Sequence, residues 1–500
     1  VTPPGRSGDG AERHGTSARR PPSCLPRGDL LRHLPVVLIL PLALTAASAQ
    51  ADSEEPLSLS LTQAVDLALE RNPDVLRARE QVHEFNLQVR EVRAEALPQL
   101  DLSMSAQTFR DPGLRNSPQF GELSEFLPPE ALEPLRYDDY AYRISLEQPI
   151  YTFGRIGSAL KAARAQLAAV NEDVRSMESQ VAREVAVAYY DLALARERQA
   201  VLESERVARE RQLEQVKDRR SLEDATRLDE LTAEVALANL RPQILGAENE
   251  EAVALARLNE TLARPIDAPL ELLDPLTLPD PLPNVPEYSV LLAQAARTRP
   301  ELLRFAHSRR FLEQGQRVRR ADTLPEIKAR GGIGISSYDY ANLKDASFRN
   351  WSVGVYVTWK LFDGFRTSSR VGQLKSQVRQ SELQEAAFRN ALAREVERSS
   401  GEWERGLKAV EVAKLAVLQA HEAQGLTEDS FNWGASSVLD ILEAQRAVRQ
   451  AELSRAESHY VALLALADVK FLVGLRPDAP LEAALSAAEA EPQARAERQQ

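Results

Sequence analysis

The chain has 500 residues, of which 43% are apolar and 27% charged, with a mean hydropathy of -0.35. A large core can be built from that composition, so wholesale disorder is excluded. A polytopic helical membrane protein is excluded as well, because it needs several apolar spans of about 20 residues. The net charge of -12 gives no reason to expect a nucleic-acid surface, and the single cysteine, Cys24, permits neither a disulfide framework nor a cysteine-based zinc site.

In chain order, Arg27 and Arg32 precede the apolar run LPVVLILPLALTA, and small residues follow, ending at Ala47-Ser48-Ala49. This order predicts a secretory signal cleaved after Ala49, with an uncleaved anchor helix or a twin-arginine signal at Arg19-Arg20 as alternatives. Cleavage would remove Cys24. An expected organisation follows: extension and cleavable signal over 1–49, a first copy of a structural repeat over 50–264, a proline-rich linker over 265–286, a second copy over 287–476, and a flexible tail over 477–500.

The repeat is read from two matched offsets. RNPDVLR at 71–77 echoes TRPELLR at 298–304, and LPQL at 97–100 echoes LPEI at 324–327, both 227 residues apart. Further on, IYTFGR at 150–155 matches LFDGFR at 361–366, and TRLDEL at 226–231 matches SVLDIL at 437–442, both 211 residues apart. A longer loop in the first copy accounts for the change of offset. Between the copies, Pro265, Pro269, Pro275, Pro279, Pro281, Pro283 and Pro286 predict an extended linker outside the packed helices.

Each copy begins with helical spacing, as in Ala64, Leu67, Ala68, Val75 and Ala78, and then switches to period two. Leu100, Leu102, Met104 and Ala106 alternate with polar residues, as do Tyr140, Tyr142, Ile144 and Leu146. The second copy repeats the switch at Ile327, Ala329, Ile333 and Ile335 and at Trp351, Val353, Val355, Val357 and Trp359. Four strands of roughly ten residues, each with one apolar face, fit a membrane barrel or a half-buried soluble sheet. The export signal, the long flanking helices and aromatics at the strand ends (Tyr151, Phe153, Trp359, Phe362 and Phe365) favour the barrel. Four strands cannot close one, so several chains must pool them.

After each hairpin comes a long proline-free tract, from Pro149 to Pro242 and from Pro325 to Pro477. The 64 residues from Gly157 to Arg220 predict a helix of about 95 Å packed as an antiparallel coiled coil. The Arg and Glu runs at 196–220 read as a solvated face.

This order of parts resembles the TolC-like outer membrane efflux family over roughly residues 57–476. The NP and RP helix starts, the LP steps into strands, LFDGFR and above all WGASSVLDILEAQ at 433–445 carry the resemblance. It implies a mainly α fold with a membrane β-barrel portion, in a homotrimer. Each chain would give four strands to a shared twelve-strand barrel and two long helical hairpins to a periplasmic α-barrel. Implied partners are outer membrane lipid, a periplasmic adaptor and an inner-membrane transporter, without nucleic acid. The implied role is the passive exit duct of tripartite efflux or type I secretion; an exported coiled-coil scaffold with a soluble sheet is the rival reading.

Two helix reversals follow from the resemblance as tip turns and adaptor contacts. One is at Trp433, Gly434, Ala435 and Ser436, and the other is at Glu223 and Asp224, where Glu223 replaces the family's glycine and makes the first contact less secure. Asp440 and Glu443, with Asp229 from the first hairpin, match acidic positions at the narrow pore entrance, where such a ring favours cations. An ordinary helix start that welcomes acids is the alternative. The family's gate also uses a tyrosine and an arginine, at positions occupied here by Phe431 and Ser436, so the closed state must be held differently. The six histidines lack metal-ligand spacing, and no nucleophile elbow, P-loop or dinucleotide fingerprint occurs. Gly331-Gly332-Ile333-Gly334 reads as a strand with small lumen residues. No catalytic, cofactor or metal site is expected.

Overall fold

The first secondary structure is a three-residue strand, β1 (Leu57–Leu59), and Ser60 then starts helix α1 (Leu61–Arg71) through a reciprocal capping box with Gln63. Asn72 ends α1 and caps α2 (Pro73–Ala94). Pro73 sits at the first helical position, where its missing N–H would have had no partner anyway. The computed structural model describes residues 57–111 and 135–481, all within one unit spanning 54–500. The expected signal over 1–49 and the tail beyond 481 lie outside the described residues.

Strands β2 (Gln99–Asp111) and β3 (Leu135–Tyr151) follow, then a helix of 67 residues, α3 (Arg155–Ser221), about 100 Å long at 1.5 Å per residue. The chain turns back through α4 (Arg227–Ala238) and α5 (Arg241–Thr261), and β4 (Leu270–Leu272) leads into the second copy. There α6 (Tyr288–Thr298) and α7 (Pro300–Ala321) repeat the proline-started pair, and β5 (Glu326–Ser337) and β6 (Arg349–Thr358) repeat the hairpin. A second 67-residue helix, α8 (Arg366–Asn432), returns as the unbroken α9 (Val438–Leu472). Among the described residues no helix is long and apolar enough to cross a membrane.

The four long strands form one antiparallel sheet in the order β2-β3-β5-β6. Its register lines up Leu102, Ile144, Ile333 and Trp351 in one cross-strand row, and Leu100, Leu146 and Val353 in the next. These side chains are exposed, Trp351 by 78% and Val353 by 80%, so the apolar face has no cover among the described residues of one chain. The opposite face carries Ser103, Arg143, Gly334 and Asn350 in a row, and Glu147 there pairs with Lys328 and Arg330. The glycine cluster is thus strand, as expected. An uncovered apolar face and two open edges, β2 and β6, need further chains and an apolar solvent.

Two apolar cores hold the middle of the chain. In one, Val181, Val185, Tyr189 and Leu192 of α3 meet Val65 and Ala68 of α1 and Leu258 of α5. In the other, Trp403 and Leu407 of α8 meet Leu291 of α6 and Ala462 and Val469 of α9. Helices α8 and α9 approach so closely that a Cβ on Gly406 would lie 2.9 Å from the Ala462 Cα.

Two expectations are corrected here. The linker is extended but does not lie outside the packing: β4 pairs in parallel with β1, and Leu270 and Leu278 are buried. Tyr189 ties it down, its hydroxyl donating to the Leu59 carbonyl at 3.1 Å and accepting the Asp274 N–H at 3.0 Å. The Leu278 N–H donates to His459 Nδ1 at 3.2 Å. The prolines limit regular structure there to the three residues of β4 but leave apolar side chains between them free to pack. The run at 196–220 is not wholly a solvated face either, since Glu205, Arg209 and Gln212 are buried among helices.

Candidate functional site

The two helix reversals are built alike. At the second, the Gly434 N–H donates to the Phe431 carbonyl and the Ala435 N–H to the Ser430 carbonyl, the paired bonds of a Schellman ending. Gly434 takes the left-handed conformation that this motif needs, with φ of 74°. Ser437 then caps α9.

At the first, the Glu223 N–H donates to the Arg220 carbonyl and the Asp224 N–H to the Arg219 carbonyl, the same two bonds 211 residues earlier. Glu223 stands where the second copy has glycine, yet adopts the same conformation, with φ of 65°. Its substitution therefore leaves the turn geometry unchanged and stores strain instead, about 1–2 kcal/mol for a residue with a Cβ. Glu223→Gly should relieve more than the chain entropy it adds, a net gain of about 0.5–1 kcal/mol. Amide exchange over residues 222–226 should slow by about two- to fivefold; unchanged or faster exchange would contradict the strain.

Asp440 and Asp229 occupy equivalent positions and have equivalent partners. The Asp440 Oδ2 accepts the Ser437 N–H at 2.8 Å and the Ser437 hydroxyl at 2.8 Å. The Asp229 Oδ2 accepts the Thr226 N–H at 2.9 Å and the Thr226 hydroxyl at 2.7 Å. Both carboxyls are held below the ordinary 3.8: Asp440 chiefly by the Ser437 N–H and then its hydroxyl, Asp229 chiefly by the Thr226 hydroxyl and then its N–H. Each acid is thus the third helical residue of a capping box. Asp440 and Glu443 are exposed one turn apart at the start of α9, while Asp229 lies at the equivalent start of α4.

Phe431 and Ser436 differ in setting, Phe431 buried and Ser436 half-buried in the turn. Phe431 is buried with Val216, Val438, Ile441 and Leu442, a cluster that joins the two hairpins near their tips. Arg219, in the last turn of α3, lies over the ring with its guanidinium carbon 4.1 Å from the centroid. It also donates to the Phe431 carbonyl at 3.1 Å and to Asn432 Oδ1 at 3.3 Å. A cation–π contact and two hydrogen bonds thus connect the ends of α3 and α8.

Sequence reasoning named Trp433 on this surface but missed Leu222, Leu228 and Leu439. Trp433 is 88% exposed, and so are Leu222 and Leu228 at 72% and Leu439 at 57%. Leu222 matches Trp433 and Leu228 matches Leu439 at the 211-residue offset, so both tips present a large apolar residue on each side of the turn. The repeat offset was the signal that could have found them.

At the other end of the molecule, Tyr151, Phe153, Trp359 and Phe362 are exposed where β3 and β6 run into the long helices. Tyr151 stacks edge-on with Phe153 and Phe362 with Phe365. A second aromatic group, Tyr140 against Tyr340 with Tyr338 nearby, stands at the far end of the sheet. From Tyr140 to Tyr151 the strand climbs roughly 36 Å, or about 28 Å after a 40° tilt, the height of a bilayer's apolar layer.

The comparisons agree with this geometry. The family described as outer membrane efflux protein matches residues 64–264 and 291–475. The chain is 25% identical over 436 residues to the alkaline protease secretion protein AprF of Pseudomonas aeruginosa, covering 86% of this chain and 87% of that protein. It is also 25% identical over 423 residues to the outer membrane protein OprJ of the same organism, covering 82% of each. The open state of the Neisseria gonorrhoeae MtrE outer membrane channel has the same fold, with a TM-score of 0.68 at 20% identity over 83% of this chain and 89% of that one. With its uncovered strand face, its paired long helices and its two matched segments, the chain belongs to the outer membrane efflux protein family.

Proposed function

We propose that this protein is a passive trimeric exit duct of the outer membrane whose helical tips are both its gate and its docking end. The observation that carries the reading is the division of one chain between a four-stranded sheet with an uncovered apolar face and helices of 67 residues whose tips lie at its opposite end. Three such sheets close a twelve-strand barrel and remove every open edge. The aromatic groups around Tyr151 and Tyr140 then meet the two membrane surfaces. The helices extend into the periplasm, where an adaptor and an inner-membrane transporter supply the energy for export.

At the tips, Asp440, Glu443 and Asp229 line the entrance and favour cations. Trp433, Leu439, Leu222 and Leu228 offer the adaptor apolar contacts that a free surface would not retain. Arg219 against Phe431 holds the closed state in place of the family's tyrosine and arginine. Fractionation tests the duct: recovery from the outer membrane as a detergent-stable trimer is the expected result. A soluble periplasmic monomer would overturn it and restore the scaffold reading.

A further inference from the structure

The return path of the first hairpin is jointed, whereas that of the second is continuous. Between α4 and α5 the Leu240 N–H turns to the Leu237 carbonyl at 3.2 Å, and the Gln243 N–H turns to the Leu240 carbonyl at 3.0 Å. Pro242, which has no N–H to give, follows directly. The Ala236 carbonyl thereby loses the donor that a regular helix would supply four residues later. Arg209 of α3 replaces it, donating Nη1 to that carbonyl. In α9, 211 residues on, no such joint occurs.

Arg209 does not act alone. Its Nη2 pairs with Glu205, and the other side of the Glu205 carboxylate takes Arg449 of α9 at 2.9 Å. Arg449 also reaches Gln243 Oε1 at 3.4 Å. The side chains of Glu205, Arg209 and Arg449 are only 4%, 7% and 15% exposed, so each charge depends on the others to remain inside. Towards the tip, the same stretch of α3 and α9 carries Gln212 and Gln445, each with one buried polar atom that lacks a partner. Beyond them lies the separate apolar cluster around Phe431. Beside the joint, a cleft of about 700 Å³ is lined by Leu213, Leu237, Ile244 and Leu245.

We propose that Asn239–Leu240 is a hinge of the tunnel entrance, locked by Arg209, Glu205 and Arg449. When the lock opens, the segment between the hinge and the first tip swings on its own while the second hairpin's return helix stays rigid. The unpartnered atoms of Gln212 and Gln445 give up no hydrogen bond when the layer separates, and the cleft gives the segment room. Arg209 is a positioning residue: through the Ala236 carbonyl it sets the angle of α4, and so the place of Asp229 at the first tip. This inference rests on the reading of the tips as a gate.

The test is a rescue. In planar bilayers, trimers carrying Arg209→Met should conduct about fivefold more than the unaltered protein, and Glu205→Gln should act in the same direction. Adding Pro242→Ala to Arg209→Met lets the helix run on and returns the Leu240 N–H to the Ala236 carbonyl, so conductance should fall back. A second readout needs no conduction: nitroxides on Asp224→Cys and Ala435→Cys, in a Cys24→Ser background. Their distance distribution should broaden in Arg209→Met and narrow again in the double variant. Broadened distances in Arg209→Met with unchanged conductance would remove the gate reading yet keep the hinge. Unchanged distances in Arg209→Met, or no narrowing in the double variant, would overturn the hinge. Should Arg209→Met not assemble, the same comparison is made with Glu205→Gln.

Discussion

Replacing Phe431 by alanine should leave the tunnel entrance open. The ring is 6% exposed within the only apolar cluster near the tips among the described residues, and removing such a side chain costs about 3–5 kcal/mol. The cation–π contact with Arg219, about 0.5–2 kcal/mol, is lost with it. If about 3 kcal/mol of this favours the closed arrangement, the balance shifts roughly 100-fold in each protomer. Single-channel conductance should rise accordingly, and cells should admit antibiotics too large for ordinary porins. Arg219→Gln should open the entrance less, since it spares the cluster and removes only the contact. Arg219→Lys should fall between the unaltered protein and Arg219→Gln, because an ammonium keeps a cation for the ring but lacks the planar fork that stacks on it while reaching both acceptors. Phe431→Tyr keeps the ring and should stay closed. A Phe431→Ala trimer with unaltered conductance would show that the closed state is held elsewhere.

Much of this was legible before any coordinates, for identifiable reasons. Period two at Leu100–Ala106 and Trp351–Trp359 is a local signal, and the cross-strand rows needed only that alternation and a register. The long helices followed from the absence of proline, and the tips from the family resemblance carried by WGASSVLDILEAQ at 433–445. What escaped depends on contacts between distant residues. Glu205 and Arg209 read as solvated because charge predicts exposure; their burial needs Arg449, 240 positions or more away in sequence, and the Ala236 carbonyl, freed where the Leu240 N–H turns to Leu237. Strands β1 and β4 are three residues each, too short for a periodic signal. Arg219 looked like one basic residue among many until the fold set it over Phe431. The capping boxes at Thr226–Asp229 and Ser437–Asp440 are written in the sequence, but a charged ring or a dipole-suited helix start accounts for the same acids without them.

The cap made by Asp440 changes how the acidic entrance must be tested. Asp440→Ala would remove the charge and the cap together, and losing such a cap interaction costs on the order of 1 kcal/mol. Asp440→Asn with Glu443→Gln separates the two, because the asparagine carbonyl can still accept the Ser437 N–H. In a trimer this double variant removes six carboxylates from the entrance. Cation preference in a salt gradient should fall, and block by divalent or trivalent cations should weaken by at least about tenfold. Low salt will enlarge the effect, since screening over about 10 Å at 0.1 M already covers much of a narrow ring. The pH dependence has a definite sign. The Asp440 carboxyl is held below the ordinary 3.8, so its charge and its cap are both in place above that value and are lost only as pH falls through the depressed one. Its share of the cation preference should therefore not vary between pH 7 and about pH 5. A conducting trimer of the Asp440→Asn, Glu443→Gln double variant with undiminished selectivity and block would assign the acids to the helix start alone, and the entrance would then owe its cation preference to other residues.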